Sequence, residues 1–467
     1  MTDLDIAPTS IPGLLVLTLP VHHDNRGWFK ENWQRAKMVA LGLPDFAPVQ
    51  NNVSFNHAAG IVRGLHAEPW EKLVSVTAGR AFGAWVDLRS GPSFGSVFTV
   101  DLEPGTAVFV PRGVANGYQT LEPATVYSYL VNKHWSASAR DSYSFVNLAD
   151  PALAIPWPLG VDDTLLSDAD RTHPLLADVT PQPAGRTLIL GAGGQLGRAL
   201  VRRCPDADAI DLPEFNLADP AGWTSVDWDR YELVLNAAAY TAVDAAETPE
   251  GRASAWAINA LAVARLAELA RQHQFTLVHV STDYVFDGTR ELHPENEPFS
   301  PLGVYGQSKA AGDLSVTALP RHYLVRTSWV VGDGQNFVKT MARLADSGVD
   351  PQVIDDQIGR LTFADDLAAG IVHLVGSGAP FGTYNLSSDG PVQSWADIAE
   401  AVFAARGRER SAVTRVSTEH YGAGKAMAPR PRHSVLDLAK IKGTGFTPPD
   451  GPAALETYLA SLTETHG

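Results

Sequence analysis

The hydrophobic pattern changes near residue 180, and this change constrains the fold more than any other feature of the sequence. Before it, short runs rich in β-branched and aromatic residues alternate with turn signals, which is typical of an antiparallel sandwich or barrel. After it, apolar strands alternate with alanine-rich helical stretches, which predicts βαβ units and a parallel sheet. A length of 467 residues also favours more than one domain. We therefore predict an all-β domain followed by an α/β domain.

A proline-rich segment separates the two patterns and is the natural linker. We assign residues 1–180 to the all-β domain, 181–185 to the linker and 186–467 to the α/β domain.

Composition excludes several classes of function. A formal net charge of −16 disfavours nucleic-acid binding. Cys204 is the only cysteine, so no intrachain disulfide and no Cys-x-x-Cys metal site can form. The first residues lack a signal-peptide pattern, and no apolar stretch reaches the length of a membrane span. We expect a cytoplasmic protein without membrane or nucleic-acid partners.

A glycine-rich turn follows the first predicted strand of the second domain. Glycines at a strand-to-helix junction let the backbone approach a pyrophosphate, and the helix N-terminus adds a partial positive charge. Asp211 lies 20 residues after Gly191, where a carboxylate would bind a ribose hydroxyl. The predicted cofactor-binding residues of this turn are Gly191, Gly194, Gln195, Leu196 and Gly197.

Tyr305 and Lys309 lie four residues apart, a spacing that places both on one face of a helix. A free phenol has a pKa of about 10 and needs a nearby cation to serve as an acid or base at neutral pH. Thr282 ends an apolar strand upstream. A surface Tyr-Lys pair is the structural alternative, but the position after a dinucleotide-binding turn favours catalysis.

The second half resembles the extended short-chain dehydrogenases, and among them the dTDP-4-dehydrorhamnose reductases. The resemblance covers nearly all of 186–467 and is carried by the glycine turn and by the segments 236–247, 281–288, 305–309, 326–329, 336–337 and 430–431. It implies a Rossmann fold with a smaller substrate-binding lobe and NADPH or NADH as cofactor. Asp211 would repel a 2′-phosphate and favours NADH, although Arg198 could still accommodate NADPH.

The same resemblance implies roles for individual residues. Thr282 would polarise the substrate carbonyl, Tyr305 would protonate its oxygen, and Lys309 would hold the nicotinamide ribose and tune Tyr305. The additional cofactor-binding residues would be Ala237 and Ala238. The residues facing the nucleotide-sugar would be Trp329, Asn336 and Arg430.

In the first half, His66 precedes the predicted strand that begins at Lys72. A lone histidine is more often a structural residue than a ligand. The sequence contains no His-x-His cluster, so we predict no metal site.

The first half resembles the dTDP-4-dehydrorhamnose 3,5-epimerases over about 10–175. The resemblance is carried by segments 24–31, 49–52, 62–66, 84–89, 93–95 and 150–155 together with Lys72. It implies a cupin-like jelly roll that needs no cofactor. The implied roles are His66 as base, Asp170 orienting its imidazole, Tyr129 as acid and Lys72 stabilising the enolate.

The residues that would grip the nucleotide or substrate are Arg26, Glu31, Gln50, Asn52, Arg63 and Asn116. Asn116 stands where the family has histidine, and Trp135 stands where it has tyrosine. An asparagine can donate a hydrogen bond but carries no proton for transfer.

Together the two resemblances imply a bifunctional enzyme for the last two steps to dTDP-L-rhamnose. The first domain would invert C3 and C5 of dTDP-4-dehydro-6-deoxy-glucose, and the second would reduce C4. Two alternatives remain: a 3-epimerase and 4-ketoreductase for a related dTDP-deoxysugar, or a nucleotide-sensing binding protein. We expect a homodimer formed through the epimerase domain.

Overall fold

The computed structural model describes residues 3–135, 142–161, 164–182 and 185–464. The chain divides into two compact units, Met1–Ala184 and Gly185–Gly467. Pro183 and Ala184 of the predicted linker lie outside the described residues.

Two antiparallel sheets make up most of the first unit. Their strand orders are β1-β2-β10-β7-β12-β5 and β13-β6-β11-β8-β9, and β3 and β4 form a separate hairpin. The strands are β1 (Asp5–Pro8), β2 (Leu15–Thr18), β3 (Val21–Asp24), β4 (Gly27–Lys30), β5 (Gln50–Asn56), β6 (Val62–Ala67), β7 (Lys72–Ala78), β8 (Ala81–Asp87), β9 (Val97–Leu102), β10 (Thr106–Val110), β11 (Val114–Thr120), β12 (Thr125–Val131) and β13 (Ser144–Phe145). Two short helices are α1 (Arg35–Ala40) and α2 (Asp168–Arg171).

The two sheets share a buried core, because alternate residues of each strand point between them. Val74 and Val108 from the six-stranded sheet pack in one cluster with Trp85 and Tyr118 from the five-stranded sheet. The predicted antiparallel architecture of the first half is therefore confirmed.

A parallel sheet with the order β15-β14-β16-β17-β18-β23 organises the second unit. The strands are β14 (Arg186–Leu190), β15 (Asp208–Ile210), β16 (Tyr231–Asn236), β17 (Thr276–Thr282), β18 (His322–Thr327), β19 (Val330–Val331), β20 (Gln352–Ile354), β21 (Ile358–Gly359), β22 (Thr362–Phe363), β23 (Gly382–Asn385), β24 (Gln393–Ser394) and β25 (Thr414–Val416). The helices are α3 (Gln195–Arg203), α4 (Pro249–Trp256), α5 (Ala262–His273), α6 (Val304–Thr317), α7 (Phe337–Asp346), α8 (Ala364–Gly376), α9 (Trp395–Ala405), α10 (Thr418–Gly422), α11 (Ala439–Lys442) and α12 (Gly451–Glu464).

Helices pack on the apolar faces of this sheet. One core joins α5 to the sheet, and another joins α3 and α8 to it. A third core, formed mainly by α7, α9 and α12, contains Val338, Phe403 and Leu455. The parallel sheet predicted for the second half is confirmed.

One of the alanine-rich helical stretches, from Pro249 to His273, has an interruption that the sequence pattern did not indicate. The segment Ala257–Leu261 is π-helical and joins α4 to α5. Such segments often occur at functional sites.

Among the helices of the described residues, none combines the length and the apolar character that crossing a bilayer requires.

Candidate functional sites

The first unit contains two adjacent cavities that share Arg63 and His66 in their linings. The larger has a volume of about 590 Å³ and also contacts Asp170 and His173. The smaller has a volume of about 170 Å³. Its other lining residues are Ser54, Glu68, Lys72, Asn116, Tyr118, Tyr127 and Tyr129. The structure thus brings together all four predicted catalytic residues of the first half.

His66 and Asp170 form a hydrogen-bonded pair. Nε2 of His66 lies 2.7 Å from Oδ1 of Asp170. Ser167 caps α2 by accepting the backbone N–H of Asp170, which fixes the backbone that carries this carboxylate. Burial alone would raise the pKa of Asp170, but the hydrogen bonds to His66 and Ser167 and the charge of His66 hold it below its ordinary value.

The backbone two residues before His66 requires glycine, at position 64. Gly64 has a φ of +125°, and a Cβ there would lie 2.5 Å from Cα of Gly117 on the paired strand β11. Only glycine allows this close approach of the two strands. It sets β6 against β11, where His66 is paired with Asn116.

Lys72 and Tyr129 belong to the opposite, six-stranded sheet. The Lys72 ammonium is buried, forms an ion pair with Glu68 and donates to Oδ1 of Asn116. Burial raises the pKa of Tyr129, and the Glu68 carboxylate adds to this effect. Tyr129 is therefore held as a protonated phenol on the wall facing His66.

The His173 imidazole lies beside the His66–Asp170 pair. The ligand-type atoms of His66, Asp170 and His173 all lie within 4.8 Å of one another. A metal ion could span these distances. However, it would have to replace the 2.7 Å hydrogen bond between His66 and Asp170. That no metal binds here stays a prediction.

The other predicted substrate residues of the first half lie outside both cavities. Arg26 is 85% exposed at the β3–β4 hairpin and pairs with Asp24. Glu31 pairs with Lys37. On β5, Gln50 donates to Asn52 at 2.8 Å. In this chain these four side chains do not converge on His66.

In the second unit the glycine turn connects β14 to α3. Gly191 has a φ of +78°, and a Cβ would lie 2.7 Å from the backbone of Ala238. At Gly197 a Cβ would lie 2.0 Å from the carbonyl oxygen of Gly191. Gly194 precedes α3 and brings no side chain to the helix N-terminus. This is a cradle that side chains would fill, and it fits the pyrophosphate of a dinucleotide.

A cavity of about 700 Å³ extends from this turn along the carboxyl ends of the parallel strands. The predicted residues that line it are Gly191, Gly194, Gln195, Leu196, Asp211, Ala237, Ala238, Thr282, Tyr305, Lys309 and Trp329. Asp211 follows β15 directly, and its carboxylate accepts the backbone N–H groups of Gly193 at 2.6 Å and Leu212 at 2.7 Å. The carboxylate is therefore held at the edge of the glycine turn.

Thr282 and Tyr305 meet on one wall of this cavity. Thr282 ends β17, and its hydroxyl donates to Asp283 at 3.0 Å. Burial raises the pKa of Tyr305 above its ordinary value, the Asp283 carboxyl raises it further, and a hydrogen bond with Thr282 opposes this. The Tyr305 phenol therefore holds its proton, as a proton donor must.

Lys309 lies on α6 one turn after Tyr305 and is only about 1% exposed. Its ammonium nitrogen contacts the carbonyl oxygen of Val280 at 2.7 Å and Nε2 of His279 at 3.2 Å. Burial lowers the pKa of Lys309 to about 8, although Asp313 opposes this effect. Lys309 can therefore change its charge near neutral pH.

Two predicted substrate residues of the second half lie outside the cavity lining. Asn336 caps α7, because its Oδ1 accepts the N–H of Lys339, and its Nδ2 donates to the Tyr458 hydroxyl. Arg430 forms an ion pair with Asp244 at 2.9 Å.

Comparisons with known proteins identify both halves. A family model described as dTDP-4-dehydrorhamnose 3,5-epimerase matches residues 8–178. A model described as RmlD substrate binding domain matches residues 185–464. An RmlC homolog of Streptococcus pyogenes is 50% identical over 176 residues, which cover 37% of this chain and 88% of the relative. The chain belongs to both families.

The reductase half has close relatives of its own. The dTDP-4-dehydrorhamnose reductase of Aggregatibacter actinomycetemcomitans is 38% identical over 295 residues, covering 59% of this chain and 98% of the relative. The Bacillus anthracis reductase, crystallised with NADP, is 33% identical and superposes with a TM-score of 0.54. The match covers 59% of this chain and 99% of that structure. The fusion of the two families predicted from sequence is confirmed.

Several residues in these epimerase and reductase sites were missed by sequence analysis. Glu68 contacts Lys72, and Trp395 stacks on Trp329 with ring centroids 3.9 Å apart. Asn259, in the π-helical segment, donates to the Ser308 hydroxyl at 3.1 Å and so supports α6. Glu68 is an acidic residue two positions after His66 and has a local sequence signal, whereas Trp395 and Asn259 lie outside every predicted motif.

Proposed function

We propose that the chain catalyses two consecutive reactions, each in its own unit. The protein is a bifunctional enzyme of dTDP-L-rhamnose biosynthesis. The first unit, a cupin-like jelly roll, epimerises C3 and C5 of dTDP-4-dehydro-6-deoxy-glucose. The second, a Rossmann fold with a smaller substrate-binding lobe, reduces the C4 ketone. The observation that carries this function is that one chain holds two sets of reacting groups: His66, Lys72 and Tyr129 line one cavity, and Thr282, Tyr305 and Lys309 line another.

Epimerisation follows from groups on facing walls. Asp170 accepts the Nε2–H of His66, so the lone pair lies on Nδ1, and this atom removes the proton next to the C4 carbonyl. The Lys72 ammonium stabilises the oxyanion that develops at O4. Tyr129 then returns a proton from the opposite face. A base, an acid and a cation suffice, so this reaction needs no cofactor.

Reduction uses a protonated phenol beside a polarising hydroxyl. When bound, the nicotinamide cofactor, NADPH or NADH, supplies the hydride for C4. On substrate binding the Thr282 hydroxyl turns its one hydrogen from Asp283 to the C4 oxygen and so polarises the carbonyl. Tyr305 gives its phenolic proton to the same oxygen. The turn at Gly191 and the amides at the start of α3 hold the pyrophosphate.

We also propose a homodimer formed through the epimerase unit. β5 lies at the edge of the six-stranded sheet. Val53 and Phe55 on it are each 63% exposed, and Phe29 on the β3–β4 hairpin is 65% exposed. An exposed apolar edge strand invites pairing with another chain. Phe55→Asp should convert the dimer to a monomer in light scattering; an unchanged mass would contradict this interface.

The function is tested with the full chain and dTDP-4-dehydro-6-deoxy-glucose in D2O, followed by NMR. Without cofactor, we expect deuterium to enter at C3 and C5. With NADPH or NADH, we expect dTDP-L-rhamnose. Deuterium only at C3 would instead indicate a 3-epimerase for a related deoxysugar. No turnover with either cofactor would indicate a nucleotide-binding protein.

A further inference from the structure

A chain of buried polar contacts leads from the predicted cofactor loop to Lys309. Asn236 ends β16 directly before Ala237 and Ala238, and His279 lies on the neighbouring strand β17. Asn236, His279 and Lys309 are each at most about 1% exposed. The chemistry described above gives His279 no role.

The hydrogens along this chain can be assigned by chemistry. The backbone N–H of Ala238 lies 3.2 Å from the Asn236 side chain and can only donate, so the atom facing it is Oδ1. The amide nitrogen Nδ2 therefore faces Nδ1 of His279 at 2.9 Å and donates to it. Nδ1 accepts, so it carries no hydrogen. Burial strongly lowers the pKa of His279, which keeps the ring neutral and puts its hydrogen on Nε2.

This tautomer decides what His279 offers to Lys309. The Nε2–H points at Nζ of Lys309 over 3.2 Å. A hydrogen bond there requires a lone pair on Nζ, which an amine has and an ammonium lacks. Nζ also donates to the carbonyl oxygen of Val280. All the hydrogen bonds in this series, from Ala238 to Val280, can form together only when Lys309 is uncharged.

We propose that His279 is a positioning residue that stabilises the uncharged amine form of Lys309 and so makes Lys309 a proton carrier for Tyr305. The proposal rests on the reductase function above. When Tyr305 gives its proton to the substrate oxygen, the phenolate recovers a proton that Lys309 releases into the cavity lined by both residues. The resulting amine accepts the Nε2–H of His279 until a proton from solvent restores the ammonium.

Charged groups on the surrounding elements act on the same equilibrium. Asp313 on α6 favours the ammonium, and Arg326 on β18 partly neutralises Asp313 at 3.5 Å. Asp283 follows β17 and is itself buried, with a pKa raised to about 6 by that burial. His279 is the group whose hydrogen bond to Nζ, by its direction, selects the amine.

The first test measures the tautomer in the wild-type full chain. ¹⁵N-histidine NMR distinguishes protonated from unprotonated ring nitrogens, and His279→Gln assigns the signal among the 14 histidines. At pH 9 we expect Nε2 protonated and Nδ1 unprotonated. The opposite tautomer would overturn the proposal. This measurement needs no turnover, so failure of the reductase assignment would be recognised separately by the absence of product from wild-type enzyme.

The second test reverses the tautomer. In Asn236→Asp the carboxylate can only accept, so His279 must turn its hydrogen to Nδ1 and offer Nε2 as an acceptor for the ammonium. The pKa that governs the pH profile of kcat for reduction should move upward by about 1–3 units. The ¹⁵N signals of His279 in this variant must also show its hydrogen on Nδ1, because an added negative charge alone would raise the Lys309 pKa without moving that hydrogen. Asn385→Asp, at a buried asparagine on β23 whose amide donates to the His293 carbonyl, controls for burying a new carboxylate elsewhere in the unit. An unshifted profile in folded Asn236→Asp, or an equal shift in both variants, would refute the proposal.

Discussion

The two proposed active sites place their candidate reacting groups in opposite ways. In the epimerase unit the groups come from facing antiparallel sheets, and the His66 side chain remains 31% exposed. In the reductase unit they come from the end of one parallel strand and one helix, and Lys309 is about 1% exposed. Inversion needs an acid and a base on two walls with room for a sugar between them. A proton carrier that changes charge near neutral pH needs burial.

The two lysines show the same contrast. Lys72 forms an ion pair with Glu68, so it has a carboxylate counter-charge in direct contact. Lys309 contacts a carbonyl and a neutral imidazole instead. One site therefore retains a cation to stabilise an oxyanion, whereas the other lowers the cost of losing the charge. The same side chain has two functions because its neighbours differ.

The strongest test of this separation is Tyr305→Phe. We expect the reduction rate to fall by about 10²- to 10⁴-fold, because only the phenolic proton is lost. Cofactor affinity should remain within a factor of about two, since the Gly191 turn is untouched. Deuterium exchange without cofactor is the internal control and should be unchanged. Reduction at the wild-type rate would remove Tyr305 from its role as acid.

The reciprocal change is His66→Ala. Exchange at C3 and C5 should fall by about 10²- to 10⁴-fold, because one base serves both carbons. Reduction of substrate already inverted by a separate epimerase should continue at the wild-type rate. Tyr129→Phe is the matched variant for the facing wall: exchange can persist while little inverted product forms. Exchange that survives His66→Ala would show that another group is the base.

Lowering the pH should change the contributions of two buried carboxyl groups to folding stability in opposite directions. Burial raises the pKa of Asp283 to about 6, so its contribution to stability is fully present below about pH 4 and is lost as the pH rises through 6. Asp170 has a lowered pKa, so its contribution is present above about pH 4 and is lost as the pH falls through its folded pKa.

Urea unfolding of Asp283→Asn and Asp170→Asn at pH 4.5 and 7.5 measures this difference. Relative to wild type, Asp283→Asn should gain about 2 kcal/mol between the two pH values, because part of the Asp283 contribution is already lost at pH 4.5. The difference between Asp170→Asn and wild type should change little over this range. If the free energies of unfolding of both variants changed equally between the two pH values, the opposite pKa shifts of Asp283 and Asp170 would be wrong.

Sequence patterns predicted the two architectures because strand alternation and βαβ periodicity are local signals. The candidate reacting groups came from two signals: a four-residue spacing placed Tyr305 and Lys309 on one helix face, and the family resemblance pointed to Thr282 and His66. Arg26 and Asn336 show the limit. Their family motifs are present, but in this chain one lies on an exposed hairpin and the other caps a helix. No local pattern reports which distant cavity a side chain reaches.

Glu68 and His279 show a second limit, because their importance arises from contacts between elements. The ion pair of Glu68 with Lys72 depends on how the segment between β6 and β7 turns. The tautomer of His279 depends on a backbone N–H after the neighbouring strand.

The smallest effect is expected for Asn336→Ala, which asks whether a residue outside the cavity lining still contacts substrate. Oδ1 of Asn336 caps α7, and Nδ2 donates to the Gly332 carbonyl at 2.9 Å and to the Tyr458 hydroxyl at 2.8 Å. Loss of an N-cap costs about 1 kcal/mol, so the variant should unfold at a lower urea concentration. Asn336→Asp is the matched control, because it keeps the acceptor for the cap.

Because these contacts occupy the side chain of Asn336, we expect the KM for the nucleotide-sugar to change less than about twofold in Asn336→Ala. An increase of tenfold or more, with the urea midpoint unchanged, would instead place Asn336 against the substrate. The substrate would then have to draw this side chain away from its cap. The reductase site would in that case complete itself only on binding, in contrast to the epimerase cavity, where His66 and Asp170 are already paired at 2.7 Å.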